Sequence, residues 1–198
     1  GFIVLSLASS APEIAVAFSA IASGNIGIAL GDIFGSNTAD IILIPAIMAI
    51  LAPIKIHKRS MKELSVILFL TSLIPLLLLI TPLRSRIVGL ILIFVFAIFC
   101  YFSMLSKIAF KEFVEKRRKI KFSFIKTLVF GLLLLLLSSR FVVDSAARIA
   151  NMLGVSESII GATIISIGSV LPELAVGIAS IKKKYINLAL GNTIGSCI

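Results

Sequence analysis

The chain has 198 residues, 59% of them hydrophobic and only 14% charged, with 19 Lys and Arg against 9 Asp and Glu and a net charge of +10. A mean hydropathy of +1.17 excludes an ordinary soluble core, and apolar stretches recur along the whole chain, so the expectation is an all-α polytopic membrane protein without a soluble domain. Those stretches are too long and too many to be a signal peptide.

A helix crosses the hydrocarbon with about 20 apolar residues, which predicts spans near 1–22, 26–52, 64–81, 86–106, 124–149, 157–181 and 185–198. Gly1 is not an initiator Met and aligns with Gly161, which a complete helix precedes. The expectation is an internal segment of a longer protein. Cys100 and Cys197 lie in apolar sequence without metal-type spacing and read as small buried hydrophobes. His57, the one histidine, sits among Lys55, Lys58 and Arg59 as an interfacial side chain. No cofactor and no enzymatic activity are indicated.

Orientation follows from the cations, because Lys and Arg of short loops are retained on the cytoplasmic side. Fifteen of the 19 fall after predicted spans two, four and six: Lys55, Lys58, Arg59 and Lys62, then the run from Lys107 to Lys126, then Lys182, Lys183 and Lys184. The basic loops are therefore expected to be cytoplasmic, in contact with anionic lipid, in a multi-pass cell-membrane protein of the prokaryotic plasma-membrane kind. Nucleic-acid binding is not the reading of this charge, and no obligate protein partner is evident.

Residues 1–38 recur at 161–198 without a gap, with 14 identities. The conserved letters include Ser6/Ser166, Ser9/Ser169, Pro12/Pro172, Glu13/Glu173, Gly31/Gly191, Gly35/Gly195 and Ser36/Ser196, none of which a span needs for insertion. Five crossings separate the copies, which makes them an inverted repeat with a site near the midplane. A carboxylate at the bilayer centre costs about 2.5–3.5 kcal/mol, so Glu13, Asp32 and Glu173 need compensation. Each glutamate follows a proline, and proline has no N–H to give the carbonyl four residues back. Pro12 thus frees the carbonyl of Ala8, and Pro172 that of Gly168. Ser9, Ser10 and Ser169 share the helical face of their glutamates. With Asp32, Ser36, Asn192 and Ser196 they make an all-oxygen set around an expected common centre, suited to Ca2+ or Na+ and not to zinc or copper. The glycines at 31, 35, 191 and 195 and Ser6/Ser166 read equally well as packing seams. Asp40 and Asp144 each occur once and are left outside this primary site.

The two motifs, Ser9-Ser10-Ala11-Pro12-Glu13 with Gly31-Asp32-Ile33-Phe34-Gly35-Ser36-Asn37 and Gly168-Ser169-Val170-Leu171-Pro172-Glu173 with Gly191-Asn192-Thr193-Ile194-Gly195-Ser196, resemble the α-repeats of the cation/Ca2+ antiporter superfamily, in particular prokaryotic sodium/calcium exchangers. The resemblance implies a ten-helix inverted-repeat antiporter fold of which this chain holds about seven helices. It divides the chain into 1–52 (first α-repeat), 53–123 (two connecting helices and the basic loop), 124–156 (a gating-type helix and loop) and 157–198 (a truncated second α-repeat). It implies that Glu13 and Glu173 hold Ca2+ jointly while serine hydroxyls and backbone carbonyls add Na+ sites, so that Na+ and Ca2+ exchange by alternating access. Val170 stands where the first copy has Ser10, and Asp32 faces the amide Asn192, so the two halves are chemically unequal.

A proton-coupled cation antiporter and a passive cation channel are the alternatives. The channel suits the chain less well, because channels more often use a symmetric ring of ligands. An intramembrane aspartyl protease is disfavoured, because Ala29 breaks its G-x-G-D signature before Asp32 and neither tyrosine is followed by Asp.

Overall fold

A computed structural model of the chain describes residues 8–51, 53, 85–105, 122–183 and 185–197. Every element among them is helical: α1 (Ala11–Ala22), α2 (Ile26–Thr38), a π-helical turn (Ala39–Leu43) running into α3 (Ile44–Leu51), α4 (Ser85–Leu105), α5 (Phe122–Leu153), α6 (Glu157–Ile160), a second π turn (Gly161–Ile165), α7 (Ser166–Ser169), α8 (Leu171–Lys182) and α9 (Ile186–Ser196). The expected span 64–81, the basic residues between 55 and 62 and most of the 107–126 run lie outside the described residues, as do residues 1–7.

Among the described residues, three helical stretches are long and apolar enough to cross a membrane: Ile26–Leu51, Val129–Leu153 and Glu157–Lys182. Their outward faces carry large apolar side chains, among them Phe141 (76% exposed) and Leu137 (65%), as a lipid solvent permits. Three of the described stretches depart from simple rods. The expected span 1–22 is interrupted by a turn at Ser10, with α1 beginning only at Ala11. Likewise 157–181 is broken by the second π turn and by a turn at Val170. Pro12 and Pro172 account for the turns, because each removes a helical N–H. Pro45 does the same to the carbonyl of Ile41, within the first π turn. In the second π turn, Thr163 donates to the Ile159 carbonyl at 2.7 Å and Ser166 to that of Ala162 at 2.7 Å. Such back-bonding hydroxyls compete with the backbone ladder.

α2 crosses the α6–π–α7 segment at backbone contact. A Cβ at Gly31 would lie 2.3 Å from the Ser158 carbonyl oxygen, and one at Gly35 would lie 2.5 Å from that of Ala162. From the other side, a Cβ at Gly161 would meet the Ile28 carbonyl at 2.6 Å. This seam holds the first repeat against the second.

α1 packs on α5 through Val16 and Ala20 against Val143, Ala146 and Ala150, all buried. Ser19 and Ser139 share a 2.6 Å hydroxyl–hydroxyl bond across the same seam. Interhelical hydrogen bonds in membranes average about 0.6 kcal/mol, so Ser139→Ala should cost about that much in a detergent unfolding titration and leave the fold intact. A second cluster joins α3, α8 and α9 through Ile44, Met48, Ile181 and Ala189. Cys197 is buried as expected, whereas Cys100 on α4 is only half-buried.

Candidate ion-binding site

Both glutamates stand in the first turn of a helix, Glu13 in α1 and Glu173 in α8. The positive end of the helix dipole favours a carboxylate there. The residues ahead of these helices keep near-helical backbone angles (Ser10 φ −80°, ψ 12°; Val170 φ −82°, ψ −1°), and the chain changes direction without unravelling. Ala8 and Gly168 are exposed residues lying four positions before the prolines, so their carbonyls lack the helical donor that proline removes.

Two of the hydrogen bonds that join the repeats link equivalent positions. Ser169 Oγ donates to Asp32 Oδ1 at 2.9 Å, and Ser9 Oγ donates to Asn192 Oδ1 at 3.3 Å. Moving each residue by 160 positions converts one bond into the other, so the pairs are related by a pseudo-two-fold exchange. Ser9 and Ser10 lie beside the Glu173 carboxyl but outside hydrogen-bonding geometry with its oxygens. Ser36 is buried and donates to the Ile33 carbonyl of its own helix at 3.2 Å, which leaves its lone pairs uncommitted.

Asp40, set aside on sequence grounds, belongs to this assembly. It is 2% exposed on the first π turn, and Ser196 Oγ donates to its Oδ2 at 2.7 Å. It also lies within electrostatic reach of Glu13 and Glu173. Its position four residues after Ser36 was the available signal. The duplication supplies none, because Asp40 lies outside the repeated segment 1–38.

Glu13 is within electrostatic reach of Glu173, Asp32 and Asp40, and among the described residues no three acidic, His or Cys side chains close into a single metal cage. Two of the acids are set in a row along the first repeat. Asp32 and Asp40 are eight residues apart, about 12 Å of helix rise, one facing Ser169 on α7 and the other Ser196 on α9. Glu13 Oε2, Asp32 Oδ2, Asp40 Oδ1 and both carboxylate oxygens of Glu173 are buried with no hydrogen-bond partner among the described residues. Buried acceptors left this way are costly. A row of hard oxygen atoms meets the ligand preference of Na+ and Ca2+.

The model of the sodium/calcium exchanger protein family matches residues 1–105 and 123–198. The whole chain aligns at 34% identity with CaxA of Alkalimonas amylolytica, whose name carries a provisional antiporter assignment, over 65% of that protein's length. It also aligns at 25% identity with the sodium/calcium exchanger MaX1 of Methanosarcina acetivorans, over 69% of its length. Among solved structures, the sodium-calcium exchanger NCX_Mj soaked with Na+ superimposes with a TM-score of 0.64 at 30% identity, over 99% of this chain and 66% of that one. The chain thus spans about two thirds of the length of the relatives it matches. The paired motifs, the apolar helices and these matches agree: the chain is a membrane protein that belongs to the sodium/calcium exchanger protein family.

Proposed function

We propose that the complete polypeptide exchanges Na+ for Ca2+ by alternating access, with Ca2+ held between Glu13 and Glu173. The observation that carries this reading is the set of four carboxylate oxygens of Glu13, Asp40 and Glu173 that are buried with no hydrogen-bond partner among the described residues. Asp40 is the third acid of the centre. The hydroxyls of Ser9, Ser10, Ser36, Ser169 and Ser196 and the carbonyls of Ala8 and Gly168 serve the monovalent ions, while Asp32 and Asn192 complete the polar wall. The acids can be neutralised by one Ca2+ and a proton or by several Na+, and mutual repulsion among cations forbids both loads at once. That competition is what couples the two fluxes. The chain lies in the cell membrane as a multi-pass protein, basic loops inward, as seven of about ten helices.

Calorimetry on the purified complete polypeptide tests the site. Ca2+ should bind, and Na+ should displace it steeply, with a Hill coefficient above one. Ca2+ binding untouched by Na+ would rule out the shared site. In the same assay Asp40→Asn keeps an oxygen for Ser196 and removes one charge. Ca2+ affinity should then fall about tenfold, equivalent to about 1.4 kcal/mol. Unchanged affinity would return Asp40 to a purely structural role.

A further inference from the structure

Asp32 and Asn192 occupy equivalent positions in the two repeats, and each accepts a hydrogen bond from a serine of the opposite repeat. Both side chains are fully buried, at 0% exposure. A hydroxyl has one hydrogen and two lone pairs, and only a lone pair can bind a cation. A serine serving an ion must therefore send its hydrogen elsewhere. For Ser169 the alternatives are Asp32 Oδ1 at 2.9 Å and the Ser166 carbonyl at 3.2 Å. For Ser9 the acceptor is Asn192 Oδ1 at 3.3 Å, and Ser9 also lies beside the Glu173 carboxyl.

We propose that Asp32 and Asn192 are positioning residues and not cation ligands: each takes the hydrogen of a serine from the opposite repeat and turns that serine's lone pairs toward the ion, and the charged, closer acceptor makes Ser169 the stronger ligand. The proposal rests on the reading of Ser9 and Ser169 as ion ligands. Its physical basis is that acceptors behind a ligand fix its orientation and raise its basicity, and that a carboxylate does this more strongly than an amide oxygen. The two halves of the carrier thus bind monovalent cations with different strength although their serines are the same. The Asp32/Asn192 difference sets Na+ affinity through the serines, while Ca2+ is governed by the glutamates.

The test uses the complete polypeptide in liposomes, with Ca2+ uptake measured against increasing Na+ on the same side to give half-saturating concentrations for both ions. Asp32→Asn, which keeps an acceptor oxygen, should raise the Na+ value about fivefold. Asp32→Ala, which removes the acceptor, should raise it about tenfold or more. In both variants the Na+ value should move several-fold further than the Ca2+ value. In a Ser169→Ala background, Asp32→Ala should add nothing further, because its effect passes through that hydroxyl. Asn192→Asp should move the Na+ value the opposite way, downward by about fivefold, which keeps the proposal testable if Asp32→Ala fails to reach the membrane. Equal Na+ shifts from Asp32→Ala with and without Ser169 would make Asp32 a direct ligand and overturn the positioning role alone. So would parallel shifts in both ions, or no shift in either direction. Wild-type uptake indifferent to Na+ would overturn the exchange reading and this proposal together.

Discussion

Glu173→Gln is expected to abolish Ca2+ movement in the complete polypeptide, lowering initial flux by at least about two orders of magnitude, with Glu13→Gln doing the same. Both oxygens of Glu173 are buried, with the hydroxyls of Ser9 and Ser10 beside its carboxyl. Glutamine keeps the shape and one oxygen but removes the charge that must offset the desolvation of a divalent ion. Loss of a buried charge partner costs about 3–5 kcal/mol, which is a factor of about 150 to a few thousand in affinity. Expression and helicity should be normal, because the variant also lifts the repulsion between the acids. Radiolabelled Ca2+ flux and circular dichroism on the same preparations separate the two effects. Normal flux in either variant would remove the two-glutamate site.

The second large effect concerns packing. Gly31→Val should destroy the seam between the repeats, because even the first atom of a side chain would stand 2.3 Å from the Ser158 carbonyl oxygen and 2.9 Å from the Ala162 nitrogen. Neither neighbour is a flexible side-chain end, so relief requires a shift of α2 or of the α6–π segment. Overpacking of this kind costs about 1–3 kcal/mol or more, and Asp32, one residue on, would be carried away from Ser169. The expected result is loss of the folded protein in detergent or, at minimum, loss of Na+–Ca2+ competition. Gly131→Ala on α5 is the control, since a Cβ there meets nothing within 4 Å. Gly31→Val behaving like Gly131→Ala would contradict the close approach of the helices.

The duplicated Pro–Glu pair was legible because a lipid-facing helix has no use for it, so each repeated polar letter stood out against apolar background. The same logic exposed Ser9, Ser169, Asp32 and Asn192, but not how they pair. The sequence carries no signal that Ser169 reaches Asp32 and Ser9 reaches Asn192, since that depends on which helix crosses which. Asp40 carries no such mark, because it lies outside the repeated segment 1–38 and occurs once. Spans were read from hydropathy, which sees apolar length and not the continuity of the backbone. It could therefore place 157–181 to within a residue of Glu157–Lys182 while passing over the π turn at Gly161–Ile165 and the break at Val170. Those interruptions arise from hydroxyl back-bonding and proline, and they are what bring Glu173 to a helix N-terminus.

The most direct test is Ca2+ uptake into vesicles containing the complete polypeptide, driven by an outward Na+ gradient and compared with a pH gradient of the same size in Na+-free buffer. Exchange at the Glu13–Glu173 centre requires uptake that rises with internal Na+, collapses when the Na+ gradient is dissipated and is lost in Glu173→Gln. Uptake indifferent to Na+ but driven by the pH gradient would contradict sodium coupling and assign the row of carboxylates to proton exchange.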